Sequence, residues 1–249
     1  MQGLDLKGLP PIIADRITPF FSEILKQHSN NIHSINIVGS AVTPDFNEKT
    51  SDINSLIILN EMDLNFIRFL SSIGKKYIKK KIASPLVMTN QYIEESLDVF
   101  PIEFHDFRLI HQTITGVDIL SGLNINNEHL RLQCEREAKI KFISLRQGYI
   151  SSLGDKELII SLLIKSFTGC IPLFRAIIFL SGKEPPVIRS HVIKTIQEIT
   201  SPQSDVFEKL LLLRNRLLKP SIEELEQIFE QYYMVLEKTG FLVDSLQAS

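Results

Sequence analysis

The sequence predicts an α+β fold, in which a domain built on a sheet with flanking helices is followed by an all-helical bundle. Two observations predict it. Short apolar runs bounded by turn residues, such as Ile35–Val38 and Leu56–Leu59, occur only in the first half of the chain. From Asn124 onward, apolar residues recur at helical spacing and no strand pattern remains. We therefore predict domains over residues 1–122 and 123–249.

In the first domain, helices are predicted where apolar side chains repeat at helical spacing, and strands where short apolar runs stand between turn residues. Asp63 is the expected N-cap of the second helix and Thr89 that of the third. Pro85 interrupts the third strand, which is therefore expected at a sheet edge. The predicted helices cover residues 10–27, 64–81, 89–97 and 108–120, and the predicted strands cover residues 35–38, 56–59, 82–88 and 101–107.

The second domain is predicted to be a helical bundle. Its segment 158–180 is long enough to cross a membrane, but Lys165 and Arg175 interrupt it and Thr168-Gly169 breaks it in the middle. We therefore expect two buried helices joined by a kink, and no membrane partner. The other helices are predicted over residues 134–153, 187–199, 205–218 and 221–246, the last opened by a Ser221–Glu224 capping box.

Composition narrows the functional classes. The formal net charge of -2 provides no global basic field for nucleic acid. The N-terminal residues lack the basic and apolar regions of a signal peptide. Cys134 and Cys170 do not stand at metal-ligand spacing, and free thiols suit a reducing compartment. We expect a cytoplasmic protein, with Cys134 in its core.

The motif that organises the first domain lies between Ile35 and Leu59. Its first apolar run ends at Gly39-Ser40, where glycine lets the backbone approach a ligand and serine offers a hydroxyl to a phosphate oxygen. Asp52 and Asn54 stand at the start of the next apolar run, and side chains two residues apart share one strand face. Both are predicted to face whatever the turn holds. The structural alternative is a pair that caps a turn.

This stretch resembles the signature of the DNA polymerase β-like nucleotidyltransferase superfamily. That signature is Gly-Ser, a spacer, an acid-x-acid pair on a strand, and a third acid on a later strand. Gly39-Ser40, the spacer 41–51 and Asp52 match it, whereas Asn54 stands where the second acid is expected. Glu103, inside the predicted strand 101–107, is the candidate third acid. The resemblance covers the segment from the first strand to the predicted helix 108–120 and implies a mixed sheet with flanking helices.

The resemblance also implies a metal-dependent site. Mg²⁺ or Mn²⁺ would be held by Asp52, Asn54 and Glu103, with Asp52 and Glu103 as the catalytic carboxylates. Gly39-Ser40 would grip the phosphates of a nucleoside triphosphate, expected to be ATP. The amide oxygen of Asn54 can ligate a metal but brings no negative charge. The site is thus expected to hold one metal, to receive its ion with the nucleotide, or to have lost catalysis.

Further charged residues leave alternatives open. An arginine in a largely buried helix needs an anion or a carboxylate, so Arg146 and Arg175 are candidates to bind nucleotide or acceptor, with structural pairing as the alternative. His105 and His111 are expected as polar surface positions, because no second ligand stands at metal spacing. A lysine cluster ends the second helix and is either a solvated helix end or a phosphate or RNA contact: Lys75, Lys76, Lys79, Lys80 and Lys81.

The resemblance implies transfer of a nucleoside monophosphate from a nucleoside triphosphate to a hydroxyl acceptor. The two-part plan is similar to that of small enzymes that adenylylate antibiotics, in which the helical part supplies the acceptor side. The rival hypothesis is a nucleotide-binding or regulatory protein of the same fold that has lost catalysis, and a third is an antitoxin-like role. The sequence leaves the acceptor open among small molecules, proteins and RNA.

Overall fold

The computed structural model describes residues 3–201 and 203–246, without the side chain of residue 78. The chain forms two compact units that divide after Ile125. The first is a four-stranded mixed sheet with helices, and the second is helical. The α+β class predicted from the sequence is confirmed.

The sheet of the first unit has the strand order β3-β2-β1-β4. β1 pairs antiparallel with both β2 and β4, and β2 pairs parallel with β3. The edge position predicted for the third strand is therefore correct. The elements are α1 (Pro11–His28), β1 (Ile32–Val38), β2 (Asn54–Leu59), α2 (Leu64–Tyr77), β3 (Leu86–Thr89), α3 (Asn90–Glu95), α4 (Pro101–Leu109) and β4 (His111–Gly116).

One apolar core joins the sheet to α1 and α2. Pro11 at the first position of α1 has a backbone angle already suited to a helix. The carboxylate of Asp63 accepts a hydrogen bond from the Asn65 N–H at 2.8 Å, as predicted for the N-cap of α2. Both helices bury their apolar stripes against alternate residues of β1 and β2. Fully buried members are Ile13, Ile17, Phe21, Ile24, Ile35, Ile37, Ile57 and Leu59.

Two predictions in this unit are wrong. Residues 101–107, predicted as a strand, belong to helix α4, and the helix predicted over 108–120 is replaced by strand β4. Alternation of polarity over seven residues is compatible with a strand or a short helix. Pro101 favours the helix because proline is well suited to the first helical position. The β-branched run Thr113-Ile114-Thr115 favours the strand that follows.

Strand β4 ends at a glycine that no other residue can replace without distortion. Gly116 has φ 84°, and a Cβ built there would lie 2.0 Å from the carbonyl oxygen of His33 on the neighbouring chain segment. The register between β1 and β4 shifts between Ile35 and Asn36, so the two strands are locally irregular just before this point. Gly116 thereby lets β4 approach β1 closely.

The second unit consists of six helices in its described part. Asp155 and Ser221 cap α6 and α10, and Ser221 forms the predicted capping box with Glu224. Cys134 is fully buried, as predicted. The helices are α5 (Asn127–Ser151), α6 (Lys156–Thr168), α7 (Ile171–Leu180), α8 (Arg189–Thr200), α9 (Val206–Arg214) and α10 (Ile222–Ser245).

The apolar stretch Lys156–Leu180 is long and apolar enough to cross a membrane by length and composition alone. In the structure it is two helices, α6 and α7, that break at Gly169-Cys170, as the sequence predicted. Of its most apolar window, 56% is buried inside the unit. A core helix of a water-exposed domain passes the same length and composition test, so this stretch is weak support for a membrane span.

Candidate functional site

The end of strand β1 gathers three polar positions. Val38, the last residue of β1, pairs with Asn54 on one side and with His111 on the other, so the side chains of these partners share one face of the sheet. Gly39 follows with φ 70°, and its N–H donates to the carbonyl of Ile110 at 3.3 Å. A Cβ on Gly39 would lie 3.9 Å from Nδ2 of Asn54. We call Gly39, Ser40, Asn54 and His111 the polar edge.

The turn after β1 is a single 3₁₀ turn over Gly39–Val42. Ala41 inside it is fully buried and anchors it to the core. Thr43 closes the turn, because its N–H and its hydroxyl both donate to the carbonyl of Ser40, at 3.1 and 3.2 Å. In the described part of the chain the hydroxyl of Ser40 makes no hydrogen bond, although the residue is half-buried. That hydroxyl can therefore reach a ligand.

A buried polar ladder fixes the strands beneath this edge. Asn36, two residues before Val38, is fully buried. Its amide donates to the hydroxyl of Ser34 at 3.2 Å, and its carbonyl oxygen accepts from the hydroxyl of Thr113 on β4 at 2.6 Å. Since a buried polar group without a partner is costly, these bonds hold β1 and β4 in one register. The spacing of the polar edge follows from that register.

Asp52 lies outside strand β2, two residues ahead of its first residue, Asn54. It is exposed, and Ile53 between the two is buried in a bridge to Ile82. Asp52 borders a cavity of about 590 Å³ whose other walls come from α1, α2 and the segment 81–87, including Lys75 and Lys81. No residue of the polar edge lines that cavity. Asp52 thus lines a different cavity from the polar edge with which it was predicted to lie.

Glu103 does not complete an acidic cluster on the sheet. It is an exposed residue in the first turn of helix α4, so the strand parity that linked it to Asp52 does not exist. Strand β4, which does pair with β1, contains no acidic residue. Across residues 3–201 and 203–246, no three His, Cys, Asp or Glu side chains are grouped to hold a metal ion. The residues present therefore do not fit the expected Mg²⁺ or Mn²⁺ site.

His105 and His111 were both expected at the surface, but His105 is 2% exposed and the side chain of His111 is 7% exposed. Nδ1 of His111 lies 2.7 Å from the carbonyl oxygen of Phe107, and Nε2 lies 3.0 Å from Oδ1 of Asp118. Both partners are acceptors, so the doubly protonated ring is the form that donates to both. Its partner Asp118 lies in the Gly-x-Asp segment that follows β4.

The Asp118 carboxylate is held in its charged form. Burial acts to raise the pKa of Asp118, but hydrogen bonds from Ser121 and the charge of His111 outweigh it, and the pKa of Asp118 is lowered. The Oδ2 of Asp118 accepts from the Ser121 hydroxyl at 2.6 Å, and Oδ1 accepts from the Leu120 N–H at 3.0 Å. A hydrogen-bonded pair, His111–Asp118, thus borders the polar edge on the β4 side.

The two candidate arginines of the helical unit have different surroundings. Arg175 is buried, and its guanidinium donates to the carbonyls of Pro186 and Val187 at 3.1 and 2.8 Å. This matches the structural alternative. Arg146 is exposed, donates to the hydroxyl of Tyr233 at 2.9 Å, and borders a cavity of about 630 Å³ between aromatic side chains of α5 and α10.

No family model and no curated protein matches the chain. Among solved structures, a spectinomycin adenyltransferase from Enterococcus faecialis, solved with ATP and spectinomycin, superposes with a TM-score of 0.54 at 13% identity, over 90% of this chain and 99% of that one. A nucleotidyltransferase-like protein from Exiguobacterium sibiricum gives a TM-score of 0.32 at 15% identity, over 94% of this chain and 75% of that one. The first likeness shows that the chain has a nucleotidyltransferase-like fold.

Proposed function

We propose that this chain is a nucleotide-binding protein that holds the phosphates of a nucleoside triphosphate at the polar edge. The observation that carries the proposal is the left-handed Gly39 after β1, beside Asn54 and followed by Ser40, whose hydroxyl makes no hydrogen bond among the described residues. A backbone without a Cβ and a turn of polar groups suit close approach of a phosphate. The ATP bound to the spectinomycin adenyltransferase supports ATP as the nucleotide.

The proposed binding does not depend on a divalent ion. A two-metal transfer site needs several carboxylates around the phosphates. Here Asn54 brings an amide, Glu103 lies on a helix, and the β4 residue at the edge is His111, which carries a proton donor instead of a ligand oxygen. This set favours the regulatory or nucleotide-binding hypothesis over a two-metal transferase.

A second candidate function is transfer of the nucleoside monophosphate to a hydroxyl of a small molecule. Asp52, exposed and two residues ahead of Asn54, is the carboxylate that would support it. The neighbouring structure, which contains both ATP and spectinomycin, supports a small-molecule acceptor over a protein or RNA.

The first test is ATP binding measured by calorimetry, once with EDTA and once with MgCl₂. We expect equal affinity in both buffers, and a rise in melting temperature, because ATP binds only the native state. Ser40→Ala should weaken binding roughly tenfold through the lost hydrogen bond to a charged phosphate, whereas Ser22→Ala, an exposed serine of α1, should leave it unchanged. Absence of binding by all four common triphosphates would contradict the proposal.

The variant Asn54→Asp separates the two candidates. The added carboxylate should make ATP binding respond to Mg²⁺, because it places a charged hard ligand at the polar edge. Incubation of the wild type and Asp52→Ala with ATP and a panel of hydroxyl compounds, followed by mass analysis, tests transfer directly. Adenylylated product from the wild type and none from Asp52→Ala would establish the second candidate and displace the first.

A further inference from the structure

A concave basic surface lies in the sheet unit apart from the polar edge. It is a cavity of about 460 Å³ formed where the first turns of α1 meet the segment that follows α2. Four cationic side chains line it against one carboxylate, in a chain whose formal net charge is -2. Its lining residues, which we call the basic pocket, are Ile12, Asp15, Arg16, Lys79, Lys80 and Lys81.

Arg16 is the least satisfied cation of this pocket. Its Nη1 is buried from solvent and has no hydrogen-bond partner in the described part of the chain. A guanidinium carries five donors in a planar fork, and a buried donor without a partner costs free energy comparable to a lost hydrogen bond. Asp15, its neighbour in sequence, forms no ion pair with it among the described residues. Arg16 as a whole is half-buried and lines the cavity, so its guanidinium can meet an acceptor there.

The lysines opposite Arg16 are presented on a fixed backbone. Residues 78–80 form a 3₁₀ turn, and Lys81 ends it with φ 58°. The carbonyl of Lys81 accepts from the Ile53 N–H at 2.8 Å, and Ala83 donates back to Ile53 at 3.0 Å, so the sheet edge anchors the turn. A left-handed position favours glycine, and a lysine here carries some backbone strain.

Some lysines of this region have a hydrogen-bond or ion-pair partner in the described chain, and others have none. Lys76 pairs with Glu23 at 2.8 Å, and the ammonium of Lys81 donates to the carbonyl of Lys49. Lys79 and Lys80 are exposed and form no ion pair within the described chain. The ammonium of Lys80 lies 5.7 Å from the Tyr77 ring, which holds it near the turn. Lys79 and Lys80, which form no ion pair in the described chain, thus line one cavity together with Arg16.

We propose that the basic pocket binds an anion with several linked phosphate groups, in which one phosphate accepts the guanidinium fork of Arg16 and the next lies between Lys79 and Lys80. Planar bidentate geometry is what arginine offers a phosphate, and lysines add point charges. The cavity is a local groove lined by six residues, and the formal net charge of -2 gives no extended basic field, which favours a small polyphosphate over a nucleic acid backbone. This site is independent of the polar edge, none of whose residues line it.

The test is calorimetric titration of the full chain with sodium tripolyphosphate, with ATP and with a single-stranded RNA oligonucleotide, all in EDTA. We expect tripolyphosphate to bind with an affinity that falls roughly tenfold or more in Arg16→Gln and in the double variant Lys79→Gln/Lys80→Gln, as for lost charged hydrogen bonds. Lys26→Gln, an exposed lysine of the same helix α1, should leave it unchanged. ATP that competes with tripolyphosphate in Ser40→Ala would identify a nucleoside polyphosphate as the source of the phosphates.

Three results would overturn the inference: no tripolyphosphate binding, equal binding by the wild type and the lysine double variant, or binding of RNA alone. Because Lys79 and Lys80 are exposed, their double variant tests the site even if Arg16→Gln folds poorly. Loss of ATP binding in Ser40→Ala with retained tripolyphosphate binding would support both sites separately.

Discussion

Two arginines, one in each unit, differ in how their buried nitrogens are partnered. In the helical unit Arg175 donates to two backbone carbonyls, of Pro186 and Val187, and so ties the end of the α7–α8 connection to α7. In the sheet unit Arg16 has a buried Nη1 with no partner in the described chain. The comparison teaches that burial of a charge alone does not indicate function. What points to a ligand is a buried donor that the protein itself leaves unpaired.

The largest difference in unfolding free energy is expected between alanine substitutions at two glycines with positive φ, one in each unit. Gly116 of the sheet unit would place a Cβ 2.0 Å from the carbonyl oxygen of His33, whereas Gly154 of the helical unit has φ 80° and open space around it. Gly116→Ala should lower the free energy of unfolding by about 3 kcal/mol or more, and Gly154→Ala by about 1 kcal/mol. Urea denaturation of both variants checks this. Equal losses would mean that the close contact of β4 with β1 relaxes easily.

The second-largest difference in unfolding free energy is expected between substitutions of the two arginines. Arg175→Met should lower the free energy of unfolding by about 2–3 kcal/mol, since it leaves two carbonyls without their charged donor. Arg16→Met should be neutral to within about 0.5 kcal/mol or slightly stabilising without ligand, because it removes an unpaired buried donor. Thermal and urea unfolding of the two variants measure the difference. A large loss for Arg16→Met would show that Arg16 serves the fold.

The smallest effect on stability is expected at two aspartates of the sheet unit. Asp118 has hydrogen-bond partners and Asp98 has none in the described chain. The pKa of Asp118 is lowered in the folded state, so its charged form stabilises the fold above the unfolded pKa, and this stability is lost as pH falls through the folded pKa. The stability difference between wild type and Asp118→Asn should be largest at neutral pH and disappear in acid. Asp98→Asn, at an exposed residue with no partner in the described chain, is the matched control variant. Urea unfolding across the acidic range tests it.

Sequence patterns failed where a short segment had two possible periods. Residues 101–107 alternate in polarity, yet they form α4 and bury Ile102, Phe104 and His105. The strand that completes the sheet is His111–Gly116. It was not predicted because polar residues surround its short β-branched run. As a result, the candidate third acid, Glu103, lies on a helix in the structure. The residue that pairs with Val38 on β4 is His111. Seven residues carry too little periodicity to choose between helix and strand.

The sequence alone determined the elements with long periodic patterns and clear punctuation. The stripes of α1, α2 and α10, the break between α6 and α7, and the two strands around Gly39-Ser40 all follow from apolar spacing, caps and turn residues. Only the tertiary structure decided which side chains meet. It placed His111 opposite Asn54 across β1, gave Arg175 its carbonyl partners, and brought Arg16 to the lysines after α2. Periodicity is local, whereas the pairing of charges depends on contacts between segments far apart in the chain.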